Sequence, residues 1–108
     1  MTTKTETRRT SGGVWTFMVA TLGNDNFRIA PFRVKRAASL EADLELDTVG
    51  IVEFMIDLEA HFGIKLEEVY RPGLKKLDSG HMVLDQPYTT VGDIYYLILD
   101  KLGLSRPA

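Results

Sequence analysis

The sequence predicts an all-α fold: a small bundle of three main helices and a short fourth, with a long loop after the first helix. Three observations carry that prediction. Ile51, Met55, Leu58 and Phe62 fall at i, i+4, i+7 and i+11, and Gly63 follows them. Val91, Ile94, Ile98 and Leu102 make a second stripe, followed by Gly103. Trp15, Met18, Val19 and Leu22 stand at i, i+3, i+4 and i+7, with Gly23 next. Each set falls on one face of a helix of about 3.6 residues per turn, and a glycine stands as a stop after each, Gly63 because glycine accepts the left-handed conformation that closes a helix.

Size and composition narrow the function classes. A chain of 108 residues fits one domain, and 44% hydrophobic with 26% charged residues is ordinary for a globule. No apolar run approaches the ~20 residues of a membrane span. The longest candidate, residues 14–22, is too short, and a polar Thr/Arg segment precedes it where a signal peptide would begin. With no cysteine, disulfides and thiolate metal sites are excluded, and a cytoplasmic location is the default expectation. The net charge of −2 is unevenly spread. Residues 1–36 hold seven basic and two acidic residues, a net of +5. Residues 37–108 hold six basic and thirteen acidic residues, a net of −7. This points to an acidic interaction surface beside a basic flank, against the plainer reading of two solvated surfaces.

Taken in order, residues 1–13 are rich in Thr, Arg and Gly without apolar periodicity, so a disordered tail is expected. Residues 14–22 carry no charge, and their spacing favours a helix. The alternative is a hairpin that turns at Gly23-Asn24-Asp25-Asn26 and returns over residues 27–34. Pro31 and the lack of strict alternation weaken it. Residues 27–42 form the long loop. Its basic cluster of Arg33, Lys35 and Arg36, near Phe27 and Phe32, is too small to predict nucleic-acid binding. The central helix opens at the polar Asp47-Thr48 and runs to Phe62. Arg71-Pro72-Gly73 then signals a turn, and a short helical turn is expected over residues 74–77. Thr90 caps the last helix, with Asp93 three residues on. The end should fray from Leu104 onward.

The stretch Asp43-Leu44-Glu45-Leu46-Asp47-Thr48-Val49, then Val52-Glu53-Phe54 through Phe62-Gly63-Ile64, resembles the acyl carrier proteins, including the peptidyl carriers. Their pattern is an acidic-Leu-Gly-x-Asp-Ser-Leu loop, a helix with Val-Glu and aliphatics, then Phe-Gly-Ile. The match covers about a quarter of the chain without a gap. Weaker matches extend it: a first helix ending in Leu-Gly, Ile29-Ala30-Pro31 before the loop, and Thr90-Val91-Gly92-Asp93 opening the last helix. Departures are Glu45 for the usual glycine, Val49 for leucine, and Thr48 for the modified serine. The resemblance implies a domain over residues 14–104 with an insertion at about residues 70–87, and a frayed end over residues 105–108.

For function, the resemblance implies a carrier rather than an enzyme. A transferase would join 4′-phosphopantetheine to the hydroxyl of Thr48, with Asp47 as the preceding acid, and the arm's thiol would hold an acyl group as a thioester. Partners would be the phosphopantetheinyl transferase and acyl-transfer or synthase enzymes of fatty-acid, polyketide or related biosynthesis. A monomer without nucleic-acid or membrane partners is expected. A helix N-terminus suits this role, since its unpaired amides and dipole favour an anion. The extra methyl of threonine restricts χ1 and crowds an approaching electrophile. Three readings stay open: slow or dedicated modification of Thr48, an engineered or divergent carrier position, or a carrier-like interaction module that has lost the arm.

The partner surface follows from the helical wheel. Glu53 and Asp57 lie opposite the Met55/Phe62 stripe, with Val49, Ile56 and Ala60 beside them. Apolar residues framed by carboxylates suit docking onto a basic patch. By resemblance, Glu53 and Glu59 match recognition acids and Ile56 an exposed apolar contact. Gly50 and Ala60 stand where many carriers have acids. Asp78-Ser79-Gly80 is the rival attachment site, but no amphipathic helix follows it. His61 and His81 lie too far apart in sequence to suggest a metal pair, and no acid has a nucleophile or base partner at a catalytic spacing.

Overall fold

The computed structural model describes residues 10–71, 74–84 and 87–107. Helix α1 is Ser11–Leu22, and a 3₁₀ turn, Pro31–Arg33, interrupts the long loop after it. Helix α2 is Thr48–Phe62, and the short α3 is Glu67–Tyr70. Strands β1, Leu74–Lys76, and β2, Met82–Leu84, form an antiparallel hairpin. Helix α4 is Val91–Leu102. The fold is an all-α bundle with one small hairpin attached. Helix α1 packs on both α4 and α2, and α3 packs on α2.

Helix α1 begins three residues before the expected boundary, so Ser11–Gly13 belong to the helix and not to the tail. The reason is a cap. Thr10 Oγ1 accepts from the Gly13 amide at 2.9 Å, and the Val14 amide donates to the Thr10 carbonyl at 3.1 Å. Residues 1–9, the rest of the expected tail, lie outside the described residues. The buried face is Val14, Met18, Thr21 and Leu22, while Trp15 and Val19 are half-buried at its edge. Segment 14–34 is therefore helix and loop, not a hairpin.

In α2 the expected stripe holds at Met55, Leu58 and Phe62 and gains Phe54. Phe54, Met55, Leu58 and Phe62 are wholly buried and Ile51 only partly. The N-cap is Asp47, and Gly63 closes the helix at φ 69°. Phe17 of α1 stacks on His61 of α2, with ring centroids 3.5 Å apart and planes 10° from parallel. Helix α4 shows the predicted capping box. Asp93 N–H donates to Thr90 Oγ1, and Asp93 Oδ2 accepts from the Thr90 amide. Val91, Ile94, Tyr95, Ile98 and Leu99 are buried, and the Tyr95 hydroxyl donates to the Ser11 carbonyl at 2.9 Å. That bond satisfies the one polar atom of a ring sealed in the core.

The long loop is pinned to the start of α4. The Leu40 amide donates to the Thr89 carbonyl, Val91 N–H to Ala38 O, and Gly92 N–H to Arg36 O, at 3.0, 3.0 and 2.8 Å. Ile29, Val34, Ala38, Leu40 and Leu44 anchor it in the core. Gly92 is required there, since a Cβ would lie 2.7 Å from Arg36 O.

Two expectations change. Residues 74–77 form no helical turn, because Leu74–Lys76 pair with Met82–Leu84 and a turn at 77–81 joins them. Two bonds hold that turn, Leu77 N–H to His81 O and Gly80 N–H to Leu77 O, each 2.8 Å. Gly80 takes φ 90°. The end beyond α4 is tied back rather than loose at Leu104, whose amide donates to Leu99 O at 2.8 Å. Arg106 pairs with Asp100 at 2.9 Å and lies over the Tyr96 ring. Among the described residues no helix is long and apolar enough to cross a membrane.

Candidate functional site

Thr48 is the first residue of α2, and it is exposed. Asp47 before it takes extended backbone, and its Oδ1 accepts from the Gly50 amide at 2.7 Å. The Ile51 amide donates to the Asp47 carbonyl at 3.0 Å. Asp47 therefore acts as the N-cap, a role that the acid-hydroxyl pair did not announce. Among the described residues the amides of Thr48 and Val49 make no hydrogen bond within the protein, so two donors at the positive end of the helix face outward.

The loop before Thr48 is rigid for a local reason. Ser39 N–H donates to Asp43 Oδ2 at 2.6 Å, and the amides of Asp43 and Leu44 donate to Ser39 O. Leu46 N–H then donates to Leu40 O at 2.9 Å. Glu45 sits at φ 56°, a left-handed conformation where the resembled pattern has glycine. The side chain at that position thus carries some backbone strain, of order 1 kcal/mol.

On one side of Thr48 lies a cleft of about 230 Å³, lined by Leu40, Ile51, Val52 and Val69 with Tyr70 and Tyr88 at its rim. Helices α2 and α3 form its walls together with the stretch leading into α4. Tyr70 opens the segment read as an insertion over residues 70–87, and Tyr88 directly follows it. Their sequence signal was only that of packing aromatics, so nothing in it placed them beside Thr48.

On the other side runs the outward flank of α2. Val49 is 64% exposed and Ile56 51% exposed, large values for apolar residues on a helix. Glu53 is exposed and Asp57 half-buried, and neither has an ion-pair partner among the described residues. Ala60 is exposed on the same flank. Glu59 is different. Its Oε2 accepts from the Leu66 amide at 2.7 Å, and the Tyr70 hydroxyl reaches both of its oxygens at 3.2 and 3.0 Å. Its carboxylate clamps the connection between α2 and α3. Desolvation, and after it the hydrogen bond to Glu59, holds the Tyr70 phenol above its ordinary pKa.

The rival Ser79 stands in the hairpin turn, its hydroxyl 2.9 Å from His81 Nδ1. Among the described residues no three His, Asp or Glu side chains converge on a metal-sized site. No protein-family model matches the chain, and no curated protein matches it.

The residues around Thr48 fit a phosphodiester arm. An exposed hydroxyl, two outward amides and a helix dipole meet at one point, which is the chemistry such a linkage requires. Against it stand the carboxylates of Asp47 and Glu45, though the first is already occupied with the Gly50 amide.

Proposed function

We propose that this chain is an atypical acyl-carrier-type protein, which presents an acyl group on a 4′-phosphopantetheine arm at Thr48 to enzymes of fatty-acid, polyketide or related biosynthesis. The observation that carries the reading is the exposed Thr48 hydroxyl on the first residue of a buried-face helix, next to two amides without internal partners. When attached, the arm supplies a terminal thiol that holds the acyl group as a thioester.

The chain's own residues supply position and recognition. Asp47 fixes the backbone that aims Thr48 outward. The Thr48 and Val49 amides seat the phosphate oxygens. Val49, Ile56, Glu53 and Asp57 give a partner enzyme an apolar contact with an acidic frame, and charge steers the encounter. The protein catalyses nothing itself and works in the cytoplasm.

Intact-mass spectrometry after co-expression with a broad-specificity phosphopantetheinyl transferase tests this. We expect one phosphopantetheine increment, its loss in Thr48→Ala, and fuller occupancy in Thr48→Ser, which removes the crowding methyl. No increment in either the parent or Thr48→Ser would refute the carrier reading. A second reading has its own support in that methyl: an unmodified interaction module that keeps the acidic flank without the arm. It predicts an unmodified parent chain.

A further inference from the structure

The most exposed large apolar side chain among the described residues is Phe32, at 78%. It stands on the 3₁₀ turn that Pro31 opens, and backbone bonds from Arg33 N–H to Ala30 O and Val34 N–H to Pro31 O, both 3.0 Å, hold the turn. Arg33 is fixed by a 2.6 Å bond from its guanidinium to the Asp43 carbonyl. Lys35 is exposed and has no ion pair among the described residues. A rigid aromatic with basic neighbours is the reverse of the α2 flank, where exposed Val49 and Ile56 have acidic neighbours.

The two patches share a face. Arg33 lines a groove of about 500 Å³ with Val49 and Glu53, and lines another of about 380 Å³ with Phe32 and Lys35. Arg33 therefore marks the seam between a half where Arg33 and Lys35 outweigh Asp43, a net of +1, and a half where Glu45, Asp47 and Glu53 outweigh Arg28, a net of −2. Among the described residues the ion pair across it, Arg33 to Glu45 at 3.8 Å, joins exposed groups and holds the two halves together only weakly. A face with opposite charge in its two halves, and an apolar contact in each, is complementary to itself under a two-fold rotation. Each half of one copy then meets the opposite half of the other, and each contact is made twice.

We infer that this face pairs two copies of the chain in a two-fold dimer. Phe32 of each copy lies against Val49 and Ile56 of its mate, and Lys35 lies near Glu53. The surface that reads as partner-facing is then covered in the dimer, so self-association and enzyme docking exclude each other. The dimer itself does not depend on whether Thr48 carries an arm.

Sedimentation velocity on the full, unmodified chain tests this. The range is about 10 µM to 1 mM, in about 20 mM and about 500 mM salt. We expect a dimer that grows with concentration and weakens at least about tenfold in the higher salt. Phe32→Ala should weaken it about tenfold or more while leaving the helical circular dichroism and the melting curve unchanged, since that side chain packs on little. Lys35→Glu and Glu53→Lys should each weaken pairing, and their combination in one chain should restore it. A monomer throughout the range at low salt overturns the inference. So does a dimer indifferent to Phe32→Ala, or a charge-swap pair that fails to recover. Whether Thr48 carries an arm is read separately by intact mass, so a failure of the dimer leaves the carrier reading standing.

Discussion

Replacing Gly92 with alanine separates what helix propensity says from what the packing says. Gly92 is the second residue of α4, where alanine is the better helix former by up to about 1 kcal/mol. Propensity alone therefore predicts stabilisation. The structure predicts the opposite sign. A Cβ there lies 2.7 Å from Arg36 O, 3.2 Å from Arg36 Cβ and 3.3 Å from Arg36 C. Unstrained contacts of this kind sit near 3.5 Å, so backbone rather than a pliable side-chain tip must retreat by roughly half an ångström or more. The retreat stretches the 2.8 Å bond from Gly92 N–H to Arg36 O, worth about 0.5–1.5 kcal/mol. Forced overpacking of this sort costs about 1–3 kcal/mol, so with the weakened bond added and the propensity gain taken off the net loss is about 0.5–3.5 kcal/mol. Gly12 supplies the control. It is the second residue of α1, and a Cβ there meets nothing within 4 Å. Gly12→Ala should be neutral or stabilising by up to about 1 kcal/mol. Urea melts of the three proteins give the answer directly, and each kcal/mol also moves Tm by about 4–8 °C. A Gly92→Ala protein as stable as Gly12→Ala would refute the close approach of loop and helix.

Leu58 is wholly buried on α2, so Leu58→Ala should cost about 2–5 kcal/mol in a urea melt by opening a cavity, and an unchanged midpoint would place Leu58 outside the core. Asp47→Ala removes the cap on the Gly50 amide and should lose about 0.5–2 kcal/mol together with helical signal. The Tyr70 phenol has its folded pKa raised above the unfolded value of about 10, because the fold disfavours the anion. Its contribution is thus present in full below that pH and is lost as pH rises through the folded value. Tm measured up a pH series should fall more steeply in the parent than in Tyr70→Phe, and identical slopes would discount the Glu59 contact.

Helices α2 and α4 were legible because local chemistry punctuates them: Thr90 caps α4, Gly63 and Gly103 close at φ 69° and 71°, and the stripes before them face inward. What escaped depends on contacts distant in sequence. The first turn of α1 is also tied down from afar, since the Ser11 carbonyl accepts from the hydroxyl of Tyr95, 84 positions on. The hairpin pairs Leu74 with Leu84, and nothing within residues 74–77 foretells a partner strand. The candidate site divides the same way. Thr48 and Asp47 were marked by the resemblance of their loop to that of the carriers, and the outward flank of α2 by helical period. The engagement of Glu59 with Leu66 and Tyr70 does not, since it needs α3 folded back on α2. Glycine at position 92 carried no mark of its close approach to Arg36.

Two hydroxyls compete in this chain, and comparing them shows what a modification site here would need. Ser79 is the less hindered alcohol, and an acid precedes it as Asp47 precedes Thr48. In the hairpin turn, however, the Gly80 amide is already committed to Leu77 O and the serine hydroxyl to His81. No helix starts there, so no set of parallel amides or aligned dipole faces an incoming phosphate. At Thr48 the Asp47 cap consumes one amide and leaves two, and the ladder through Leu40 and Thr89 holds the preceding loop still. The penalty of the threonine methyl is local and modest, a matter of approach angle. The absence of seated amides at Ser79 cannot be repaired by any rotamer. If Thr48→Ala moved the phosphopantetheine increment to Ser79 instead of abolishing it, hydroxyl access and not the helix terminus would be the governing factor, and the reasoning that selects Thr48 would fail.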